Sequence, residues 1–496
     1  MTSTFHGLEV GKRALYAQQA ALSTTGHNIA NANTVGYTRQ RANMQATNPI
    51  SIPGMSSYQL GTGVDVNKIE RLRENYLDVQ YRTENKNVGY WEAKSDTLGK
   101  IEELMNEPSD NGLAYVMNEF FAGWEELAKD PDSAASRSVV RQKGIAVAET
   151  FNYMSNSLEQ MQTDLKLAIN TKQNEVNSIA TQISGLNDQI SRLVANNYEP
   201  NDLYDQRDLL LDQLSKIIPI TVTNSSNGMI DITVAGQDLV KGKQGNELEV
   251  LFGTDNGSDC VTDIKINNQS VEIQALQSGE LLGRMESFGI QTLTSDGLKV
   301  TGTIPDMKQK LDALAKAFMD EVNNTHSQGY YMKNNAGTIE MVSAEDIPFF
   351  TGTTAKDMAV STEIMGSLDM IAAAAKEGTS GGTSSGNGQN AQNIADLQAK
   401  GTVTINGTTS TLNDFYSNMI GQLGIDSQEA ERMQENSEVI IQQVDNRRQS
   451  ISGVSLDEEM ANMIKFQQAY NAAARIVTTL DQCLDKVING MGRVGL

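Results

Sequence analysis

The sequence is poor in the side chains on which most chemistry depends. Three histidines, His6, His27 and His326, occur in 496 residues, and no two stand at a spacing that would place both on one metal ion or in one proton relay. Each reads as a surface polar residue. Cys260 and Cys483 are the two cysteines, too far apart in sequence for a local staple or a zinc knuckle, which leaves two ordinary thiols. No run of about 18 apolar residues is uninterrupted, as a helical membrane span requires, and the N-terminal residues lack the apolar core of a secretory leader. Aromatic residues make up 5% of the chain, which suits an elongated helical protein better than a dense enzyme core. Basic side chains are also scarce, 39 against 62 acidic, a net charge of −23; nucleic acid and anionic membrane surfaces would repel such a chain at long range. No phosphate-binding loop, nucleophile elbow or paired-histidine zinc motif occurs, and the glycine-rich GTGVDV and GGTSSGNG lack the strand and helix around them that phosphate binding needs. No catalytic residue, cofactor site or metal site is expected.

What the chain does have is apolar periodicity at both ends. Leu8, Leu15, Leu22 and Ile29 recur every seven residues beside small alanines, the mark of one amphipathic helix with a narrow seam. HNIANANTVGYTRQR follows, from His27 to Arg41. Asn28, Asn31 and Asn33 can cap carbonyls and tolerate left-handed backbone, Gly36 permits a positive φ, and Tyr37, Arg39 and Arg41 alternate as in an extended segment. At the other end Ser455 and Glu458 have capping-box spacing. Leu456, Met460, Met463, Tyr470, Ala474, Val477, Leu480, Leu484, Val487 and Met491 then follow spacings of three and four, with Gln467 as the one polar interruption. The first 46 residues hold four basic side chains against Glu9, and residues 455–496 hold four against five acidic ones. The excess negative charge therefore lies in the middle, and the two ends can approach without it. Paired, they form a marginal two-helix arm that is expected to order only when neighbouring subunits enclose it.

Between them the chain reads as mainly α with an inserted β-rich domain. Residues 42 to 70 are loop-like, with Pro49, Pro53, Gly54, Gly61 and Gly63 punctuating short extended pieces. Helices dominate from Leu72, with Trp91, Leu98 and Met105 on one face and Phe120, Trp124 and Leu127 on another. The longest, from Phe151 to Leu193, changes phase by four residues near Lys172 and Val176, as a coiled-coil stutter does. From Pro219 the period becomes two, as in Ile230, Ile232 and Val234, and the segments IIPITVT, MIDITVAG, LEVLF, CVTDIKI and SVEIQAL read as short strands. Helix returns at Leu311, and TVTINGTTS carries an Asn-Gly hairpin turn. The expected division is a terminal coiled-coil unit of residues 1–45 and 455–496, a helical-bundle rod of 46–215 and 305–454, a small outer β domain of 216–304, and a flexible loop at 377–389. The chain runs out, makes an outer domain and returns.

ALSTTGHNIANANTVGYTRQR at one end and FQQAYNAAARIVTTLDQCLDKVI at the other resemble the paired terminal signatures of the bacterial flagellar axial family, its rod, hook and hook-associated proteins. NDLYDQRDLLLDQLSKIIPITV, SGELLGRMES and EVNNTHSQGYY extend the likeness, with the long helical middle, to the hook-associated branch. The resemblance implies a structural protein rather than an enzyme, exported uncleaved by the flagellar type III apparatus and self-assembling outside the cell at the hook-filament junction. Its implied partners are further copies of itself, hook protein, hook-associated protein 3 as the second junction protein, and a cytoplasmic export chaperone. It implies subunit contacts through Leu8, Leu15, Leu22, Asn28, Ile29, Asn31, Asn33, Gly36, Tyr37, Arg39, Leu456, Met460, Met463, Tyr470, Val477, Leu480, Leu484 and Val487, and chaperone binding through Met463, Tyr470, Val477, Leu480 and Leu484. Hook or distal rod protein is an alternative that the helical tract from 72 to 196 tells against. A coiled-coil scaffold outside the flagellum would explain the heptads but not the asparagine-rich bend.

Overall fold

A computed structural model describes residues 5–51, 59–109, 112–255, 257–294, 297–335, 338–376, 384–400, 403–405 and 408–490. It is mainly helical. The first helix, α1 (His6–Ala30), leads into a ribbon of β1 (Gln40–Ala46), β2 (Ile50–Ser51), β3 (Gln59–Leu60) and β4 (Val64–Arg71). β1 pairs antiparallel with β4 and β2 with β3. The short extended pieces expected within 42–70 pair into this ribbon, of which residues 52–58 lie outside the described residues, and it lies along α1: His6 Nε2 is 3.1 Å from the Gly61 carbonyl, and Gly63 abuts the backbone of Val10.

The rod follows as α2 (Asn75–Met105), α3 (Leu113–Lys129), α4 (Ala134–Val194) and α5 (Asn201–Ile217). At 61 residues, α4 is longer than its periodicity announces, roughly 90 Å at the usual rise. It starts early because Ser133 caps it, the hydroxyl accepting from the Ser136 N–H. Its buried face, including Val140, Phe151, Leu158, Ile169, Val176 and Ile183, runs through the phase change without a break. Phe120, Phe121 and Trp124 of α3 pack edge-on or tilted among Phe151, Phe318, Phe349 and Phe350, which concentrates the scarce aromatics in one buried cluster.

Nine strands then fall between 221 and 301. β5 (Thr221–Asn224), β6 (Ile230–Val234), β7 (Gln237–Lys241) and β8 (Gln244–Gly245) form one antiparallel sheet in that order. In the second, β10 (Ser258–Ile266) pairs with β9 (Leu248–Asp255), β11 (Gln269–Val271) and β12 (Ile290–Thr294), and β13 (Gly297–Thr301) closes the edge beside β12. A short helix, α6 (Glu280–Phe288), interrupts the strands. Side-chain amides of α4 fasten both sheets to the rod. Asn187 donates to the carbonyls of Ile230 and Gly242, Asn177 exchanges two bonds with the Leu248 backbone, and Gln162 donates to Asp259 and Phe288. Each satisfies sheet-edge groups that burial would otherwise leave unpaired.

The return path is α7 (Thr303–Ser327), the hairpin β14 (Tyr330–Asn335) with β15 (Thr338–Ser343), the pair β16 (Phe350–Thr351) and β17 (Ala359–Val360), α8 (Thr362–Gly366) and α9 (Gln389–Lys400). β18 (Val403–Ile405) pairs with β19 (Thr408–Ser410) on either side of the expected Asn406-Gly407 turn, which itself lies outside the described residues, and α10 (Leu412–Ser452) and α11 (Leu456–Asp485) follow. The strands of 330–360 were not anticipated. Of the loop expected at 377–389, residues 377–383 lie outside the described residues, as does Met491, while Gln389 already opens α9. His326 is no surface residue. It is fully buried against Trp124 and Phe349, with Nδ1 2.9 Å from the Ile347 carbonyl and Nε2 accepting from the Ala372 N–H. Burial pushes its pKa down to about 4, so it stays neutral.

Candidate assembly interface

The two ends of the chain pair antiparallel. Gly7 faces Leu480, Gly11 faces Val477, and Asn28 hydrogen-bonds Glu459, so 21 residues of one helix lie along 21 of the other. The contact line on α1 runs through small residues, Gly7, Gly11, Ala21, Thr25 and Asn28, one position off the expected leucine row. A methyl group placed on Gly11 would sit 2.7 Å from Val477 Cγ2, which shows how closely the backbones approach. Leu8, Leu15, Leu22 and Ile29 are half-buried on the flanks of this line. On α11 one covered row is Glu459, Met463, Phe466, Ala469, Ala473, Val477, Leu480 and Leu484, again at spacings of three and four.

Shelter is unequal on the two helices. The β1–β4 ribbon covers a second side of α1, where Ala17 and Thr24 are buried, whereas among the described residues only Glu459 and Ala473 of α11 are fully buried. Leu456, Met460 and Ile464, one row at four-residue spacing, remain 48%, 51% and 60% exposed, and Tyr470, Ile476, Val487 and Ile488 are exposed further along. An exposed apolar stripe of this extent is the mark of an interaction surface.

The asparagine-rich bend closes the opposite end of the pair. Asn28 is buried, and its amide fills every bonding position. Oδ1 accepts from the Tyr37 hydroxyl at 2.7 Å and the Gln40 N–H at 3.0 Å, while Nδ2 donates to the Gln40 carbonyl at 2.8 Å and to Glu459 at 3.1 Å. A planar amide matches both backbone groups of Gln40 as a neighbouring strand would, which neither Asp nor Leu can do. The Tyr37 oxygen in turn accepts from His27 Nδ1 at 3.0 Å. Burial, then the charges of Asp202, Asp205 and Glu459, push the Tyr37 pKa upward and keep it a neutral donor. Asn31 caps the His27 carbonyl at 3.0 Å, and Gly36 has φ +82° as expected. Neither Asn31 nor Asn33 adopts left-handed backbone; Asn33 is exposed.

Arg39 links this bend to the start of α11. Its Nε donates to Glu459 and its guanidinium to Glu458, both at 2.7 Å, and its backbone N–H donates to the Ser452 carbonyl. Burial works against its charge, but the two carboxylates outweigh that and hold its pKa above the ordinary value. Glu458 therefore does not form the expected capping box: Ser455 precedes α11 without a side-chain cap, because Glu458 is drawn to Arg39. Behind the bend, the Thr38 N–H and Arg71 both donate to Asp205, and Arg71, Arg73 and Arg82 converge on Asp208. These three cations outweigh the burial of Asp208 and lower its pKa. Arg448 of α10 joins through Asp212 and lies 4.0 Å above the Tyr81 ring. Seven elements, α1, β1, β4, α2, α5, α10 and α11, thus meet in one polar joint. Sequence periodicity announced Asn28, Tyr37 and Arg39 but not the buried Glu459 or the aspartates of α5, whose partners are more than a hundred residues away.

Among the described residues no cluster of histidine, cysteine and carboxylate side chains is arranged to hold a metal, and no helix is long and apolar enough to cross a membrane. Paired terminal helices, a polar joint and an outward-built middle define a building block of an axial assembly. Residues 8–38, which hold α1 and the bend, match the family model described as flagella basal body rod protein. Residues 446–490, which hold the other half of the joint, match flagellar basal body rod FlgEFG protein C-terminal. Residues 98–339 match flagellar hook-associated protein FlgK helical domain. The chain is 41% identical to flagellar hook-associated protein 1 of Bacillus subtilis (strain 168), over 99% of both chains, and 27% identical to that of Escherichia coli (strain K12), over 96% of this chain and 98% of the other. The flagellar hook junction protein FlgK from Burkholderia pseudomallei has the same fold, with a TM-score of 0.59 over 76% of this chain and the whole of that one, at 15% identity. The chain belongs to the flagellar hook-associated protein 1 family. It is a structural component of the flagellum, not an enzyme.

Proposed function

We propose that this chain builds the layer between hook and filament, and that the unsheltered face of α11 drives its self-assembly. The observation that carries this reading is the asymmetry of the terminal pair: α1 is covered on two sides, by α11 and by the ribbon, while Leu456, Met460 and Ile464 stay about half or more exposed among the described residues. Closing copies around a common axis would bury that row together with Tyr470 and Val487. Leu8, Leu15, Leu22 and Ile29, set beside the small-residue line, would take part in the same packing. Asn28, Asn31, Gly36, Tyr37 and Arg39 act from within, by fixing the direction in which the pair leaves the rod, and Asn33 stands free for a neighbouring copy.

In this reading the terminal unit, the rod and the β-rich segment 216–304 are three radial zones. Hook protein meets the layer on one side and hook-associated protein 3 on the other. Before export a cytoplasmic chaperone holds α11 through the face that α1 covers in the folded chain, Met463, Val477, Leu480 and Leu484, together with the exposed Tyr470. Immunogold labelling of isolated flagella tests the location, with gold expected at the distal end of the hook; gold along the filament or at the rod would overturn it. Deletion of residues 455–496 should leave cells with hooks and no attached filament, and retained filaments would refute the role of α11.

A further inference from the structure

We infer that the β12–β13 hairpin is an intersubunit contact that inserts into the groove between α2 and α10 of a second copy, an inference that rests on the self-assembly proposed above. Leu293 and Leu298 are directly paired across the two strands and are 82% and 58% exposed. β13 is an edge strand, so the hairpin presents a two-leucine apolar face that no other described residue of its own chain covers to any large extent. The same molecule carries a groove of about 710 Å³ floored by the buried Leu98, Met307, Met419, Leu423 and Ala430. Its rim is charged, with Lys94, which is ion-paired to Glu286, and Lys310 among Asp306, Asp426 and Glu429.

Strand alternation prevents the hairpin from filling its own groove. Ile290, Thr292 and Thr301 line the groove, and successive side chains point to opposite faces, so Leu293 and Leu298 stand on the reverse face with Gln291 and Val300. A knob and a socket that face apart on one molecule can engage only between molecules. Such a contact is head-to-tail, and it repeats from each copy to the next as a ring or helical layer requires.

The test is cross-linking in isolated flagella. In a Cys483→Ser background, where the other cysteine is buried, Leu293→Cys combined with Glu429→Cys should give an oxidative ladder of dimers, trimers and higher species. Neither single variant should do so. Dimers formed by Leu293→Cys alone would mean that hairpins meet each other, and a product containing a different chain would make the hairpin a contact to another axial protein; either overturns the inference. The double variant Leu293→Ser/Leu298→Ser should keep its melting temperature, because both side chains are exposed, and should fall at least tenfold in sheared flagella at unchanged cellular level. Retention at the normal level overturns the inference alone. Absence of the unmodified chain from sheared flagella overturns the self-assembly reading and this contact with it.

Discussion

The joint predicts a sharp difference between two adjacent glutamates. Glu459 is 2% exposed and accepts from both Arg39 Nε and Asn28 Nδ2; Glu458 is 63% exposed at its side chain and accepts from Arg39 alone. Glu459→Ala leaves a partly buried guanidinium and a buried amide donor without that acceptor. Loss of one partner of a fully buried pair costs about 3 to 5 kcal/mol. Arg39 keeps Glu458 and Asn28 keeps Gln40, so about 2 kcal/mol is expected here. Glu458→Ala removes a solvent-screened contact worth about 0 to 1 kcal/mol. Amide hydrogen exchange of the free chain, read over 456–466, reports the local opening of α11 directly. At tenfold for every 1.4 kcal/mol, Glu459→Ala should speed exchange about thirtyfold and Glu458→Ala less than about fivefold. Equal effects of the two, or none from Glu459→Ala, would refute the view that a buried polar lock holds the terminal pair to the rod.

Three further outcomes follow from other parts of the chain. Gly11→Val, whose added atoms collide with Val477, should separate α1 from α11 at a cost of about 1 to 3 kcal/mol and reduce filament attachment in motility assays. Cys483 is exposed on α11 while Cys260 is buried, so maleimide should label the free chain once and rapidly, and label it at least tenfold more slowly in intact flagella. His326 has a folded pKa near 4 against an ordinary value near 6.5, so its contribution is complete above about pH 6.5 and is lost as the pH falls toward 4, when the unfolded chain takes up the proton first. Urea unfolding should show about 2 kcal/mol less stability at pH 5 than at pH 8 from this group, a dependence that His326→Gln should flatten.

The terminal helices, the bend, the long helices and the strands of 221–301 were legible because each is a local pattern of period seven, 3.6 or two. What escaped depends on partners distant in sequence. Leu8, Leu15, Leu22 and Ile29 look like a seam because they are large, yet two helices approach most closely over Gly7, Gly11 and Ala21, and the leucines move to the flanks. Residues 42–70 read as short extended pieces in a loop, but not as a paired ribbon, because the β1–β4 register joins residues up to 31 apart and α1 supplies the surface. Ser455 and Glu458 have the spacing of a capping box, and Arg39, more than 400 residues away, competes for the carboxylate and wins it with a charged bond. His326 reads as polar surface until Trp124 and Phe349 enclose it.

These differences separate two kinds of interaction within one terminal unit. The joint is built from ion pairs and amide bonds whose geometry is demanding and whose net stabilisation is small, because desolvation of Asp208, Glu459 and the arginines offsets much of the attraction. Such a network fixes direction better than it adds stability. The outer face of α11 is the reverse, a row of Leu456, Met460 and Ile464 with no directional demand and substantial apolar area to bury. A layer between two unlike polymers needs both, a fixed angle at each subunit's own joint and a forgiving surface between subunits. The substitutions should therefore divide accordingly. Changes at Asn28 or Glu459 should misdirect the terminal pair while leaving its apolar face intact, and polar changes along Leu456, Met460 and Ile464 should leave the free chain folded and abolish its assembly.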